Sequence, residues 1–474
     1  MSIQNGSMEM LLGRERSEEL VELGLRESKA DATEILVRSE HTELTRFTDL
    51  AIHQNVAERC LQLFVRTIWG RRVVVVESGD VSPAGIRAAL VRSEELARAV
   101  TPSTNLPDFG STRVANGRAA GAGPVTFNQA TASCGPTERA EIVDRICGVF
   151  RRHGVNGAGN VRMQRFELAV GNSAGLRRYA PYSMIAVVLT AFDQRNLASG
   201  FQNWIGRDIE RMDPEGLARS AAIKCLMGRQ PRLVEARPMT AILEPPAVAQ
   251  LLFHLNWRSL GVFGAQSASL RQNIIFDNLG KKITAASISI RDDMAAEGLV
   301  PMPFDYEGVD KQTVELISKG IASGITHDLT TAAAFGHAST GHAQTPGDES
   351  GPLPQHLVMD PGSMPVSEMI ESTEYGVLVS RIHGFVLPIS GKQGALAGTT
   401  RDGLFLIEKG RITGPIRNFR WMEQIFSALS TVEGISPERS VQFQEEHVWL
   451  PAFVLAPTIK LGRFNFVDTQ RWSA

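Results

Sequence analysis

A chain of 474 residues is longer than one ordinary hydrophobic core sustains, so about two to three domains are expected. Hydrophobic residues at 43%, charged residues at 21% and a formal net charge of -2 fit a globular protein, and they exclude a generally basic nucleic-acid surface. Cys60, Cys134, Cys147 and Cys225 are widely spaced with no C-x-x-C pair, the pattern of free thiols in a reducing cytosol.

No basic segment followed by an apolar core opens the chain, so no secretory leader is expected. The longest largely apolar run, Met184 to Phe192, falls far short of the roughly 20 residues that span a bilayer. These features point to a cytoplasmic protein with neither membrane nor nucleic acid as partner.

In chain order, residues 16–30 carry Leu20, Val21, Leu23 and Leu25 among charges and read as a helix. Strand-like runs follow at 32–39, 50–56, 60–69 and 73–76, and Ser82-Pro83 then opens a helix with Ile86, Ala89, Leu90 and Ala97 on one face. From Thr101 to Cys134 the composition turns to Pro, Gly, Ser, Ala and Asn, as in a linker or long loop. A helix over 137–152 ends at Gly154, strands are expected at 161–170, 176–180 and 183–192, and Asp213-Pro214-Glu215 starts a helix reaching about Gly228. The last half is richer in strands: 283–290, 377–382, 404–407 and, across a Lys409-Gly410 turn, 411–416. Residues 344–355 form a polar loop. The division expected is 1–100 as an N-terminal α+β domain, 101–135 as linker, 136–230 as a central α+β domain and 231–474 as a strand-rich C-terminal domain; the fold class is α+β.

One stretch bears most directly on function. Pro245 and Pro246 suit a helix's first turn, where N–H groups have no partner, and Val248, Leu251, Leu252 and Leu255 recur at helical spacing before Gly261. His254 lies in mid-helix, and Arg258 and Ser259 stand where a second histidine would complete a paired-histidine metal site.

Other motifs carry less chemistry. Gly171-Asn-Ser173-Ala-Gly175 matches G-x-S-x-G, but it lies between two strands and reads as a turn, not a nucleophile elbow. Gly391-Lys392 lacks the P-loop's partner glycine and its Ser or Thr. His327, Asp328, His337 and His342 form a candidate polar site, in which Ala338 stands where a catalytic glutamate is needed. Asp292-Asp293 and Asp305-Tyr-Glu-Gly308 are paired carboxylates, the second reading foremost as a turn.

Taken in order, Glu244-Pro-Pro-Ala and its helix, Asp292-Asp293, Asp305-Tyr-Glu-Gly308, Gly324-Ile-Thr-His327-Asp328, Ser339-Thr-Gly-His342, Gly376-Val-Leu-Val, His383-Gly384 and Leu406-Ile-Glu-Lys-Gly410-Arg-Ile resemble the TldD/PmbA family, whose PmbA branch is also called TldE. The resemblance covers nearly the whole chain. It implies a cytoplasmic metalloprotease built as a TldD–TldE heterodimer that cleaves unfolded peptides, in which TldD binds zinc through H-E-x-x-x-H on a helix. Aligned on that motif, His254 takes the first ligand's place, Leu255 replaces the catalytic glutamate and Ser259 the second histidine. The chain therefore looks like the branch without the zinc motif: no catalytic residue and no metal ligand of its own, no cofactor in this chain, and zinc in a TldD-like partner. By resemblance, Ser339, Thr340, Gly341, His342, His383 and Gly384 are the peptide-contacting candidates. His342 and His356 depart from the family's usual Asn at those places. Two alternatives stand beside this reading: a stand-alone peptide-binding or assembly protein, and a divergent hydrolase using His327, His337 and His342.

Overall fold

The computed structural model describes residues 11–112, 125–256, 261–266, 273–390, 393–443 and 452–469, with the backbone alone for 383–390. The N-terminal part runs α1 (Arg14–Glu27), β1 (Ala32–Thr48), β2 (Ala51–Trp69), β3 (Arg72–Ser78), α2 (Pro83–Ala97), α3 (Gln129–Ala132), α4 (Pro136–His153), β4 (Asn156–Asn172), β5 (Arg177–Asp193), β6 (Ala198–Gly206) and α5 (Pro214–Met227). Its strands form one antiparallel sheet in the order β3-β2-β1-β4-β5-β6. Because β1 pairs with β4, residues 1–100 and 136–230 do not build separate domains; the 101–135 segment joins two parts of one sheet.

Local chemistry sets the boundaries of these elements. Ser82 Oγ accepts from Gly85 N and Pro83 fills the first turn of α2, while Asp213 caps α5 in the same way. The expected strands at 50–56 and 60–69 are one continuous β2, and those at 176–180 and 183–192 are one β5, because the intervening polar residues stay in register with their neighbours. The G-x-S-x-G segment is the β4–β5 hairpin turn, as read from the sequence. Asn172 Oδ1 accepts from Ala174 N and Leu176 N, Gly175 has φ +102°, and Ser173 Oγ accepts from Thr33 N.

The C-terminal part runs β7 (Met239–Leu243), α6 (Pro245–Leu255), α7 (Ile274–Asp277), β8 (Ile290–Asp292), β9 (Val314–Ser318), β10 (Ile321–Ala322), α8 (Leu329–Phe335), β11 (His356–Met359), α9 (Val366–Glu371), β12 (Tyr375–Ser390), β13 (Ala395–Glu408), β14 (Arg411–Pro415), β15 (Phe419–Gln424), α10 (Ile425–Leu429), β16 (Val432–Phe443), β17 (Phe453–Phe464) and β18 (Phe466–Thr469). A second sheet follows the path β10-β9-β8-β11-β17-β7-β12-β13-β15-β18, with β14 on β13 and β16 on β17. Parallel pairing of β7 with β12 and of β11 with β17 makes it mixed. The alternation at 283–290 yields a strand only from Ile290. Before it, backbone groups bond to Gly320 and Leu429 across turns, and Ile288 is buried without a ladder.

α6 packs on this sheet through Val248, Leu251, Leu252 and Leu255, all nearly inaccessible. Each such side chain contributes about 1.5–3 kcal/mol on burial. A second core joins the two sheets: Phe166 stacks on Tyr182 at 4.4 Å, and Met302, Phe304, Tyr306, Val358 and Phe453 close over them. Arg66 of the first sheet adds a buried tie, donating to Glu34 in its own sheet and to Glu307 at 2.7 Å in the C-terminal part. The fold is α+β and strand-rich, as expected, and among the described residues no helix is long and apolar enough to cross a membrane.

Candidate functional site

The helix that opens at Pro245, α6, borders a cleft between the two sheets. Glu244 N donates to Val379 O at 3.0 Å, which fixes the entry of α6, and Lys224 holds the Glu244 carboxylate at 2.6 Å. Pro246, Ala249, Gln250 and Phe253, spaced along one helical face, line a cavity of about 360 Å³. The other face is the core-packing one. His254 is 7 % exposed, lies outside the cavity lining, and its Nδ1 is 2.7 Å from the Gln250 carbonyl oxygen. Leu255 is in the core and Ser259 lies outside the described residues. The cavity-facing register of α6 is therefore Pro246–Gln250–Phe253, and His254 and Leu255 are not part of the cavity lining.

Across the cleft stand β5, β6, β12 and β13. Arg381 bonds Asp402 at 2.9 Å and lies 3.6 Å over the ring of Phe201, and Ser199 Oγ donates to the same carboxylate at 2.8 Å. Thr190, Arg401 and Asp402 are shared with an adjoining cavity of about 560 Å³ that continues toward Phe192 and Asn418. The cleft thus combines apolar walls with a few convergent polar groups, the usual make-up of a binding site. Sequence reading missed Arg381, Arg401 and Asp402. Their signal was an Arg-Asp-Gly triplet, Arg401 to Gly403, interrupting an otherwise strand-like run.

A different set of polar residues is sealed inside the C-terminal part. Asp292, at the end of β8, accepts from Gln355 N at 2.7 Å and His356 N at 3.0 Å. His342 Nε2 and His356 Nδ1 approach its other oxygen at 3.5 and 4.0 Å, and Lys311 donates to Gln355 Oε1 at 2.9 Å beside them. Burial alone would raise the Asp292 carboxyl, but Lys311 and the two imidazoles outweigh it and hold the group well below the usual carboxylate range. Burial, with Lys311, lowers His356 to about 4, and burial also lowers His342 and Lys311. The two histidines that depart from the family pattern thus meet at one carboxylate, fully buried.

The remaining sequence candidates have structural duties. Ser339 Oγ and Thr340 Oγ1 bond the His327 backbone, and Gly341, at φ +73°, lies where a Cβ would come within 2.5 Å of the Asp310 carbonyl. Ser339, Gly341 and His342 are buried, and Thr340 keeps partial exposure. Asp328 caps α8 by accepting from Thr331 N and Oγ1. His327 and His337 do come together, with rings 5.3 Å apart, and burial lowers His327 to about 4. His342 is not part of that pair, since it bonds Thr340 Oγ1 and faces Asp292. Asp305 accepts from Glu307 N, Val309 N and Ala343 N, which bears out the turn at 305–308, while burial raises its carboxyl to about 7. The backbone of His383 pairs with Thr399 in the β12–β13 ladder; the side chain of His383 lies outside the described residues, as does that part of the site at Gly384.

Zinc, which the family resemblance implies for one subunit, does not fit the donors on this helix. The described cleft lining has no imidazole or thiol, and its one carboxylate, Asp402, is engaged by Arg381 and Ser199. Among the described residues, no group of three or more His, Cys, Asp or Glu side chains is arranged to hold a metal ion.

Residues 236–467 match the model of the PmbA/TldA metallopeptidase C-terminal domain. The chain is 25% identical over 236 residues to a metalloprotease of Methanothermobacter thermautotrophicus, covering 48% of this chain and 50% of that protein. It is also 25% identical over 255 residues to the metalloprotease PmbA of Escherichia coli O157:H7, covering 52% of each. The chain thus spans about half the length of these curated relatives. In fold it is similar to the crystal structure of TldE from Thermococcus kodakarensis, with a TM-score of 0.81 at 20% identity over 95% of this chain and 99% of that one. A structure titled a putative modulator of a DNA gyrase, from Thermotoga maritima, matches with a TM-score of 0.81 at 14% identity over 95% and 100%.

Proposed function

Because residues 236–467 match the PmbA/TldA metallopeptidase C-terminal domain, we propose that the chain is the TldE/PmbA-like subunit of a TldD–TldE type zinc metalloprotease acting on unfolded peptides in the cytoplasm. On this reading the chain lacks a zinc-binding motif and a TldD-like partner carries the zinc. One observation supports it most: the face of α6 turned to the cleft presents Pro246, Ala249, Gln250 and Phe253, none of which is a zinc ligand of the usual kind. The task left to this subunit is to hold an extended peptide. The amides of Asn203, Gln250 and Gln442 in the cleft can bond a peptide backbone whatever its sequence, and Phe201 and Phe253 supply apolar contact. The alternative hydrolase built on His327, His337 and His342 has no such support, since His342 is sealed against Asp292.

A pull-down of the tagged chain from its native host tests the assignment. Recovery of a partner bearing H-E-x-x-x-H, and peptide hydrolysis by the pair but not by this chain alone, are expected. Zinc-dependent cleavage by the purified chain alone would overturn it; a partnerless chain that binds peptides would favour the stand-alone binding protein.

A further inference from the structure

The cleft carries one positive charge more than the described residues neutralise. Arg381 and Arg401 are directly opposite one another in the β12–β13 ladder, a like-charge pairing that costs stability unless something offsets it. Asp402 neutralises Arg381. The Arg401 side chain, which is exposed, makes no ion pair or hydrogen bond among the described residues.

The backbone is shaped to put Arg401 there. On a regular strand, Arg401 and Asp402 would point to opposite faces. Asp402 instead has a left-handed φ of +57° and Gly403 a φ of +128°, and the register shifts between Val379 and Arg381 on the partner strand. A Cβ on Gly403 would come within 2.7 Å of Ser380 Oγ, so glycine is needed for the kink. The outcome is that both residues line the same two cavities. A bulge with a strained non-glycine residue is a device that re-aims side chains at functional sites.

We propose that Arg401 is an anion anchor that selects peptides by a carboxylate, seated where the two cavities meet. The inference rests on the reading of the cleft as a peptide site, and it adds what that reading leaves open: a preference in substrate. A guanidinium takes a carboxylate in paired, charge-assisted hydrogen bonds, and Phe201, Phe253 and Val188 line the same cavity as Arg401 with apolar surface for the rest of the peptide. The carboxylate is either an Asp or Glu side chain or the peptide's C-terminus, since both present the same group.

Fluorescence anisotropy on the full chain at low salt distinguishes these sources. The probes are a short unstructured labelled peptide with a central Glu, its Gln counterpart, and both again with an amidated C-terminus. Loss of one charge-assisted pair corresponds to a change in Kd on the order of tenfold. A Glu-over-Gln ratio of that size marks the side chain as the anchor's partner, and a similar loss on amidation marks the C-terminus. In either case R401Q brings the ratio that marked the partner to near one. The proposal is overturned if wild type binds all four peptides alike, or if R401Q, folded by circular dichroism, keeps the wild-type ratio; peptide binding in the cleft then still stands. No binding of any peptide overturns both the proposal and the cleft reading.

Discussion

Replacing Asp292 by alanine removes the carboxylate that organises the buried polar centre. Gln355 N and His356 N, bonded to it at 2.7 and 3.0 Å, lose their acceptor at a cost of roughly 1–3 kcal/mol each. Lys311, 7 % exposed, loses its main counter-charge, and stranding a buried charge costs about 3–5 kcal/mol. These contributions share one site and do not simply add, so the expected loss is about 4–6 kcal/mol. D292N separates the two effects, because it keeps an oxygen for the two N–H groups and gives up only the charge; about half the loss is expected. Urea unfolding gives the total, and hydrogen exchange at the Gln355 and His356 amides gives the local opening free energy. A loss under about 1 kcal/mol in D292A, with both amides still protected, would refute this account of the centre.

Two further predictions come from buried charges. His356 titrates at about 4 in the folded chain against about 6.5 unfolded, so below pH 6.5 the unfolded chain takes up a proton that the folded chain refuses. Stability is therefore lost as pH falls from about 6.5 to 4, by up to about 1.4 kcal/mol per pH unit, and H356N should lack this component when unfolding is compared at pH 7 and pH 5; equal pH slopes in the two proteins would count against it. R66M leaves Glu34 and Glu307, 1 % and 2 % exposed, without their shared cation. A loss of about 3–5 kcal/mol is expected in urea unfolding, and a loss below about 1 kcal/mol would show that the tie between the sheets contributes little.

What the sequence disclosed followed the range of the interactions involved. Caps and turns are local, so Ser82-Pro83, Asp213-Pro214, the 172–175 turn and the start of α6 at Pro245 could be read from a few residues. Whether two sequence units share a sheet is not local, and the β1–β4 pairing joins residues more than a hundred positions apart. The site was legible only in part. Ser339 to His342 look like an exposed polar turn until His327, Asp310 and Asp292 close around them. His254 drew attention as the histidine of an apolar helix, yet the cleft meets the face of Gln250 and Phe253, a register that only packing against β12 and β17 decides. Arg401 was hidden for the opposite reason: a lone arginine on a strand looks like ordinary surface until Arg381 is found opposite it.

Zinc per polypeptide, measured by elemental analysis on this chain purified alone and again after assembly with an H-E-x-x-x-H partner, tests the central claim most directly. The cleft face of α6 predicts far less than one zinc on the chain alone and about one per assembled pair. Stoichiometric zinc on the chain alone, lost when Gln250 and its cleft neighbours are replaced, would contradict it.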